Sequence, residues 1–293
     1  MPLIPSGDWV REAFANGYAV PAINTQGGNY DLARALVETA AEERSPLILQ
    51  AYSANTRYYG LGWLPYVAEH LSRQFGIPLA VHLDHCGSVD TVREAVDLGY
   101  TSVMIDFSGL PLEENIIGTN RVISLARPRG VTVEAELGRL LRSGGAETGT
   151  AGPGTEAEAG LVDPKEVGRF LAAAEVDMLA VGIGNAHGFY RGEPRIRTDL
   201  LRRVKETSGQ TPLVLHGTTG IPDPIVEECI RNGMAKINYG TLLRARMLEY
   251  LREDTGGTFD HHGHVWQICE HLHTRLKEDI RPIIRLLNSA GRL

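Results

Sequence analysis

The apolar runs of this chain nearly all end in side chains that can bind a metal, move a proton or hold a polar ligand. These are Asn24, Gln50, the pair Asp84–His85, Asp106, Glu136, His187 (beyond a Gly-Ile-Gly-Asn-Ala turn), His216 and Asn238. Three of them are histidines. An isolated histidine is most often a structural hydrogen-bonding residue. Three that converge make a zinc site of the catalytic kind, with three protein ligands and a fourth position open to a substrate oxygen. The spacing is not that of the helical HExxH motif, and His82-Leu-Asp84-His85 does not supply an HxH pair. On a regular strand His82 and Asp84 share one face, and His85 is expected just past the strand's end.

Eight short runs precede these residues: Tyr18–Asn24, Pro46–Gln50, Pro78–Asp84, Ser102–Asp106, Val131–Glu136, Val176–Ile183, Pro212–His216 and Met234–Asn238. Their near-continuous apolar character is that of parallel strands buried on both faces. Helical periodicity fills the gaps. Asp31–Glu43 presents Leu32, Ala35, Leu36, Thr39 and Ala40 on one face, and Val89–Leu98 presents Val89, Val92, Ala95 and Val96. A third helix is expected over Asp163–Ala174, opening with an N-cap Asp163 and Pro164 in the first turn. Alternation of strand and helix eight times is the pattern of an α/β (β/α)8 TIM barrel. It predicts one domain over residues 1–293, with a barrel from about 18 to 255 and a C-terminal helical extension from about 260 to 293. The polar strand ends then form a ring at the C-terminal mouth, where barrel enzymes carry their chemistry. Two segments stand outside the pattern. Ser143–Gly160 is rich in Gly, Ala, Thr and Glu and reads as a lid over that mouth. The extension begins Asp260-His-His-Gly-His and continues into a helix near 265–287.

The bulk properties suit such a fold. The 293 residues are 43% hydrophobic and 22% charged, which is globular. The net charge of −7, without a basic run, excludes nucleic acid as the expected partner. An acidic protein that takes an anion must concentrate positive charge locally, through metal, backbone N–H groups or a few basic side chains. Cys86, Cys229 and Cys269 are widely spaced and form no CxxC pair, so a reducing, cytoplasmic setting is expected. The N-terminal stretch lacks a basic region ahead of a long apolar run, so no signal peptide is expected. No apolar run approaches membrane-spanning length.

Several motifs, in order and at matching spacing from about residue 5 to 250, resemble the class II fructose-bisphosphate and tagatose-bisphosphate aldolases. They are AINTQ (22–26), HLDHC (82–86), SVMIDFSGLPLEENI (102–116), VEAELG (133–138), IGNAHGFYRGEP (183–194), LVLHGTTGIP (213–222) and KINYGT (236–241). The resemblance implies one Zn2+ per chain on His85, His187 and His216, with Glu136 beside the metal or coordinating it. It implies that Asp84 exchanges a proton with the C4 hydroxyl of a phosphorylated ketose, and that Glu147, in GGAET, handles the donor proton from the lid. The donor would react as a zinc-bound enediolate, so no lysine Schiff base is required; Lys236 is expected to pack or to form a salt bridge. Asn24 and the loops carrying Gly188, Gly217, Thr218, Thr219, Asn238, Gly240 and Thr241 would hold substrate, the phosphate lying after strands seven and eight. A monovalent cation, Na+ or K+, is expected near the loops of Gly188 and Gly217. The resemblance also implies a homodimer or homotetramer.

Four departures bear on the substrate. The family's HGG[ST]G is HGTTG here, with Thr218 replacing a glycine. Its Nx[DN]T is Asn238-Tyr239-Gly240-Thr241, so Gly240 deletes a donor-holding side chain. The lid is longer. The arginine that a C-terminal helix supplies for a second phosphate or a subunit contact has Arg275, His271 or His273 as counterpart. These changes leave the metal residues and Asp84 in place. The expected reaction is reversible aldol cleavage of a ketose 1-phosphate or 1,6-bisphosphate to dihydroxyacetone phosphate and an aldehyde, with fructose 1,6-bisphosphate not expected to be the best substrate. The alternatives are a non-catalytic sugar-phosphate-binding barrel or partner subunit, and a zinc-dependent epimerase or lyase on a related sugar.

Overall fold

The structure is a computed structural model that describes residues 3–139, 141–142 (backbone only), 160–190, 192–255 and 264–293. Residues 143–159 and 256–263 lie outside the described residues, and with them Glu147, most of the expected lid and the start of the C-terminal extension.

All eight expected strands form, as β1 (Val20–Asn24), β2 (Ile48–Tyr52), β3 (Ala80–Cys86), β4 (Ser102–Ile105), β5 (Thr132–Leu137), β6 (Met178–Val181), β7 (Leu213–Leu215) and β8 (Met234–Tyr239). They pair in parallel with their sequence neighbours, and β1 pairs with β8, so the barrel closes. The expected helices form, with the expected cap at Asp163 and an additional one at Asn29. Asn29 accepts a hydrogen bond from the Leu32 amide at the start of Tyr30–Glu43, and Asp163 accepts one from the Lys165 amide at the start of Pro164–Ala173.

The period-two rule divides the strands, except at register shifts in β8, where Met234 joins the outer core and Ala235 the inner one, and in β3, where Cys86 joins the outer core. Odd-numbered residues such as Ile23, Leu49, Val81, Val103, Val133, Leu179, Leu215 and Ile237 join the core between barrel and helices. Even-numbered residues point into the barrel. Their lower layer is apolar (Val20, Ala22, Ile48, Ala80, Met104, Met178, Ala180, Val214) and packs against Val10 and Ala13 of the N-terminal helix Gly7–Asn16, which closes the bottom. Above them the same face turns polar, with His82, Glu134 and Lys236 fully buried and then Asp84, Glu136 and Asn238 at the mouth.

The C-terminal helix forms over Val265–Leu286 and packs along Tyr30–Glu43. Leu272, Leu276, Ile280, Ile283 and Ile284 are buried there, flanked by ion pairs of Lys277, Arg281 and Arg285 with Glu38, Glu42 and Glu43. The apolar stripe supplies most of the attachment, since part-exposed ion pairs contribute only about 0–1 kcal/mol each. Among the described residues no helix is long and apolar enough to cross a membrane, and all three cysteines are free.

Candidate active site

A cleft of about 720 Å3 opens at the C-terminal ends of the strands. Asn24, Gln50, Asp84, His85, Asp106, Glu136, His187 and Asn238 all line it, so the predicted polar ring is one site. His216 lies fully buried beneath, with Nδ1 2.9 Å from His85 Nε2. The ring of His187 stands 4.8 Å from that of His85 and 6.0 Å from that of His216, centre to centre. The three histidines each offer a nitrogen within 4.8 Å of the others, and His85, Asp106 and Glu136 form a second such group.

Two of these positions correct the expectation from the strand pattern. His85 does not lie past the end of its strand. It sits inside β3, at a register shift against β4 between Leu83 and Cys86, with φ +45°. In a regular strand Asp84 and His85 would face opposite sides. The irregularity and the left-handed backbone turn both into the mouth, at the local strain that a non-glycine residue pays there. His187 does not end the sixth barrel strand, which stops at Val181. It belongs to a separate two-residue pairing of Ala186–His187 with Leu141–Arg142. Asn185 ties that loop down. Its side chain accepts from the Ile183 amide and donates to the His216 carbonyl, both at 2.9 Å. Tyr190 does the same, accepting from the Ala186 amide and donating to the Gly217 carbonyl.

The protons of the two linked imidazoles are already committed. Nδ1–H of His85 donates to Asp106 Oδ2 at 2.9 Å, and Nε2–H of His216 donates to Glu134 Oε1 at 2.8 Å. The nitrogens facing each other across 2.9 Å are therefore both lone pairs unless a cation lies between them. Without metal, a proton takes that place. Burial pulls His85 down, but Asp84, Asp106 and Glu136 outweigh it and push it up to about 9. Burial pushes Glu136 up to about 8, and its Oε2 has no hydrogen-bond partner among the described residues. Burial also opposes ionisation of Asp106, but the His85 bond and charge and two bonds from Ser108 hold it well below the usual carboxylate range. His216 is driven well down by burial and by His85, as the neutral form of a ligand requires. Paired lone pairs, an unpartnered buried carboxylate oxygen and carboxylates behind the imidazoles all fit a divalent cation, and nitrogen donors suit zinc.

The expected phosphate loops also reach the cleft. Thr218, Thr219, Gly240 and Thr241 line it beside Gly188 and Gly217. The helix Thr241–Thr255 starts there, and Thr219 Oγ1 accepts from the Leu242 amide. Thr218 Oγ1 is buried and has no partner among the described residues. Gly217 has φ +64°, and a Cβ on it would lie 2.3 Å from the Ala186 carbonyl oxygen. Gly217→Ala is expected to cost about 1–3 kcal/mol, read as a lowered denaturant midpoint, and to loosen the junction of the two loops. An unchanged midpoint would show that the loops yield freely.

Arg275 is not brought to the cleft. It pairs with Glu253 and lies over the ring of Tyr250, while His271 pairs with Asp254 and His273 with Glu38. Among the described residues the arginines that line the cleft are instead Arg139, just after β5, and Arg244, in the first turn of Thr241–Thr255. Sequence reasoning passed over both, because each looks like an ordinary surface arginine. Lys236 forms one of the two contacts expected of it, a salt bridge, with buried Glu134, and Asp106, which sequence reasoning gave no definite role, braces His85.

A sequence model of the family described as fructose-bisphosphate aldolase, class II, matches residues 5–292. A fructose-bisphosphate aldolase of Staphylococcus epidermidis is 38% identical over 256 residues, 86% of each chain. One of Staphylococcus aureus is 38% identical over 244 residues, 82% of each. Among solved structures, the YdjI aldolase of Escherichia coli K12 superposes with a TM-score of 0.84 at 27% identity, covering 99% of both chains. A structure described as a putative fructose-1,6-bisphosphate aldolase of Coccidioides immitis gives 0.84 at 27%, covering 97% of this chain and 96% of that one.

Proposed function

The chain belongs to the class II fructose-bisphosphate aldolase family, and we propose on that premise that it is a zinc enzyme cleaving a phosphorylated ketose reversibly into dihydroxyacetone phosphate and an aldehyde. The observation that carries this reading is the meeting, in one cleft, of three converging histidines, Asp84 and two loops suited to a phosphate. His85, His187 and His216 would hold Zn2+, with Glu136 beside it. When bound, zinc supplies a Lewis acid to the donor ketone.

The remaining work falls to the chain's own groups. Asp84, inward-facing and nearly buried, takes the C4 hydroxyl proton as the C3–C4 bond breaks and returns it in synthesis. Asn238 donates toward Asp84 Oδ1 at 3.4 Å and keeps the carboxylate turned to the cleft. Thr218 offers its hydroxyl, Thr241–Thr255 its N-terminal amides and Arg244 its charge to the donor phosphate. Glu147 is assigned the exchange of the donor proton. Carbonyls of the Gly188 and Gly217 loops would hold a monovalent cation.

The substrate is proposed to be a ketose 1-phosphate or 1,6-bisphosphate other than fructose 1,6-bisphosphate. Gly240 removes a side chain that could bond the donor, and losing a hydrogen bond to a substrate hydroxyl changes discrimination strongly. A Cβ there would meet Asn24 Cβ at 3.2 Å, so an acid at this position would have to displace Asn24. The test measures triose phosphate released from a panel of phosphorylated ketoses through a coupled dehydrogenase. At least one ketose should exceed fructose 1,6-bisphosphate in kcat/KM, and Gly240→Asp should narrow the gap. Failure to release triose phosphate from any member would refute the aldolase reading. Fructose 1,6-bisphosphate as the best substrate, at about 10^4–10^8 M−1 s−1, would make Gly240 and Thr218 neutral.

A further inference from the structure

One layer beneath the cleft, inside the barrel, lies a cluster of ionisable side chains that no step above uses. Glu134 is fully buried and faces nitrogen groups on three sides, hydrogen-bonded to His216, ion-paired with Lys236 and approached by His82 without a hydrogen bond. Lys236 Nζ lies 2.9 Å from its Oε2, His216 Nε2 lies 2.8 Å from its Oε1, and His82 Nε2 approaches Oε2 at 3.5 Å. Lys236 is also fully buried, and its Nζ donates to Asn238 Oδ1 at 2.8 Å. Below them Ser6 donates to Ser102, which stands 2.7 Å from His82 Nδ1.

We propose that Lys236 and Glu134 are a positioning pair: one buried ammonium determines which nitrogen of His216 faces the cleft and which end of Asn238 faces Asp84. The inference rests on the reading of His216 as a metal ligand. A Lys ammonium has donors only, and an ionised carboxylate has acceptors only. Lys236 therefore holds Glu134 with Oε1 turned to His216 and acceptor-only. That demands the ring proton on Nε2 and leaves the Nδ1 lone pair toward His85. The same ammonium occupies Asn238 Oδ1, so the amide nitrogen is the end left for Asp84. If Lys236 were apolar, both choices would be released together. Stability is a poor reason for the arrangement, because a buried ion pair replaced by apolar residues of similar volume is often no less stable. Direction is what an apolar replacement cannot supply.

The test uses the full chain and the double variant E134Q/K236M, which removes both charges and leaves no lone buried ion. In the metal-free protein with 15N-labelled histidine, the wild-type His216 ring should show a single tautomer protonated on Nε2. Because the extra proton of His85 holds the same Nδ1 lone pair in the metal-free protein, the double variant is compared in a His85→Ala background, where adding E134Q/K236M should abolish the preference. With His85 intact, competition with a chromophoric chelator should show the double variant binding zinc about 10- to 100-fold more weakly, and turnover should fall by a similar factor. A folded double variant with wild-type zinc affinity and, in the His85→Ala background, an unchanged His216 tautomer would overturn the proposal. Should the variant not fold, the wild-type spectrum still decides, because a proton on Nδ1 of His216 refutes the assignment by itself. The tautomer measurement needs neither zinc nor substrate. A wild type that binds no zinc would thus refute the functional reading while the tautomer result still judges the pair.

Discussion

Replacing Asp84 by alanine is expected to lower kcat by about 100- to 10,000-fold, the usual contribution of a positioned acid or base, while zinc content stays at the wild-type level. The two halves of this expectation have separate grounds. Asp84 shares the inward face of β3 with His82 and reaches the mouth two residues above it, nearly buried but open to the cleft. Its described side-chain hydrogen bond is the long one from Asn238, and the imidazoles proposed to hold the metal are braced by other carboxylates, Asp106 behind His85 and Glu134 behind His216. Removing Asp84 therefore removes a proton acceptor and leaves the ligands held. Its charge also helps to keep a proton on His85, so its loss eases the competition between proton and metal. The check is kcat measured with zinc content on the same preparation. Near-normal turnover would make Asp84 structural, and loss of zinc would place it in the metal site.

How much of this could be read before the structure depends on what each feature is made of. The barrel was legible because parallel strands buried on both faces leave continuous apolar runs, and helical periodicity, with Asp163 as an N-cap, marks the gaps between them. The ring of site residues was legible for the same reason in reverse: a polar residue at the end of an apolar run has to face something. The facing of His85 was not legible. It depends on a register shift and a left-handed backbone at a non-glycine residue, which no periodicity reports. The layer below the mouth left a signal that was read only for His82 and Asp84 on β3. Pairs of polar residues two apart within buried strands, His82 and Asp84, Glu134 and Glu136, Lys236 and Asn238, share one inward face and must meet in the barrel. Which of them bond is a matter of barrel register. Arg139 and Arg244 left no signal, since an arginine after a strand or in a first helical turn has the same surroundings in sequence whether it faces a cleft or open water.

Removal of metal is expected to abolish activity, and Zn2+ alone to restore it, with a pH dependence that follows from the metal-free site. Below about pH 9 His85 carries a proton, and below about pH 8 so does Glu136. Metal ligation requires a neutral imidazole, and a carboxylate beside a cation is best ionised, so binding expels one or both protons. The direction follows: lowering the pH fills the site with protons and weakens zinc. With one proton released, apparent affinity should fall about tenfold per unit below about pH 9, steepening toward a hundredfold per unit below about pH 8 if Glu136 also ionises on binding, and it should level off above about pH 9. Chelator competition across pH 6 to 10 measures that slope, with activity recovered on zinc addition at each pH as the parallel reading. The variant lacking all three imidazoles, His85→Ala with His187→Ala and His216→Ala, should bind no zinc at any pH. Full activity in the metal-free protein, or zinc retained by the triple variant, would remove the three histidines from the chemistry. A pH-independent affinity would mean that the nitrogens facing each other across the 2.9 Å gap are not the atoms that hold the metal.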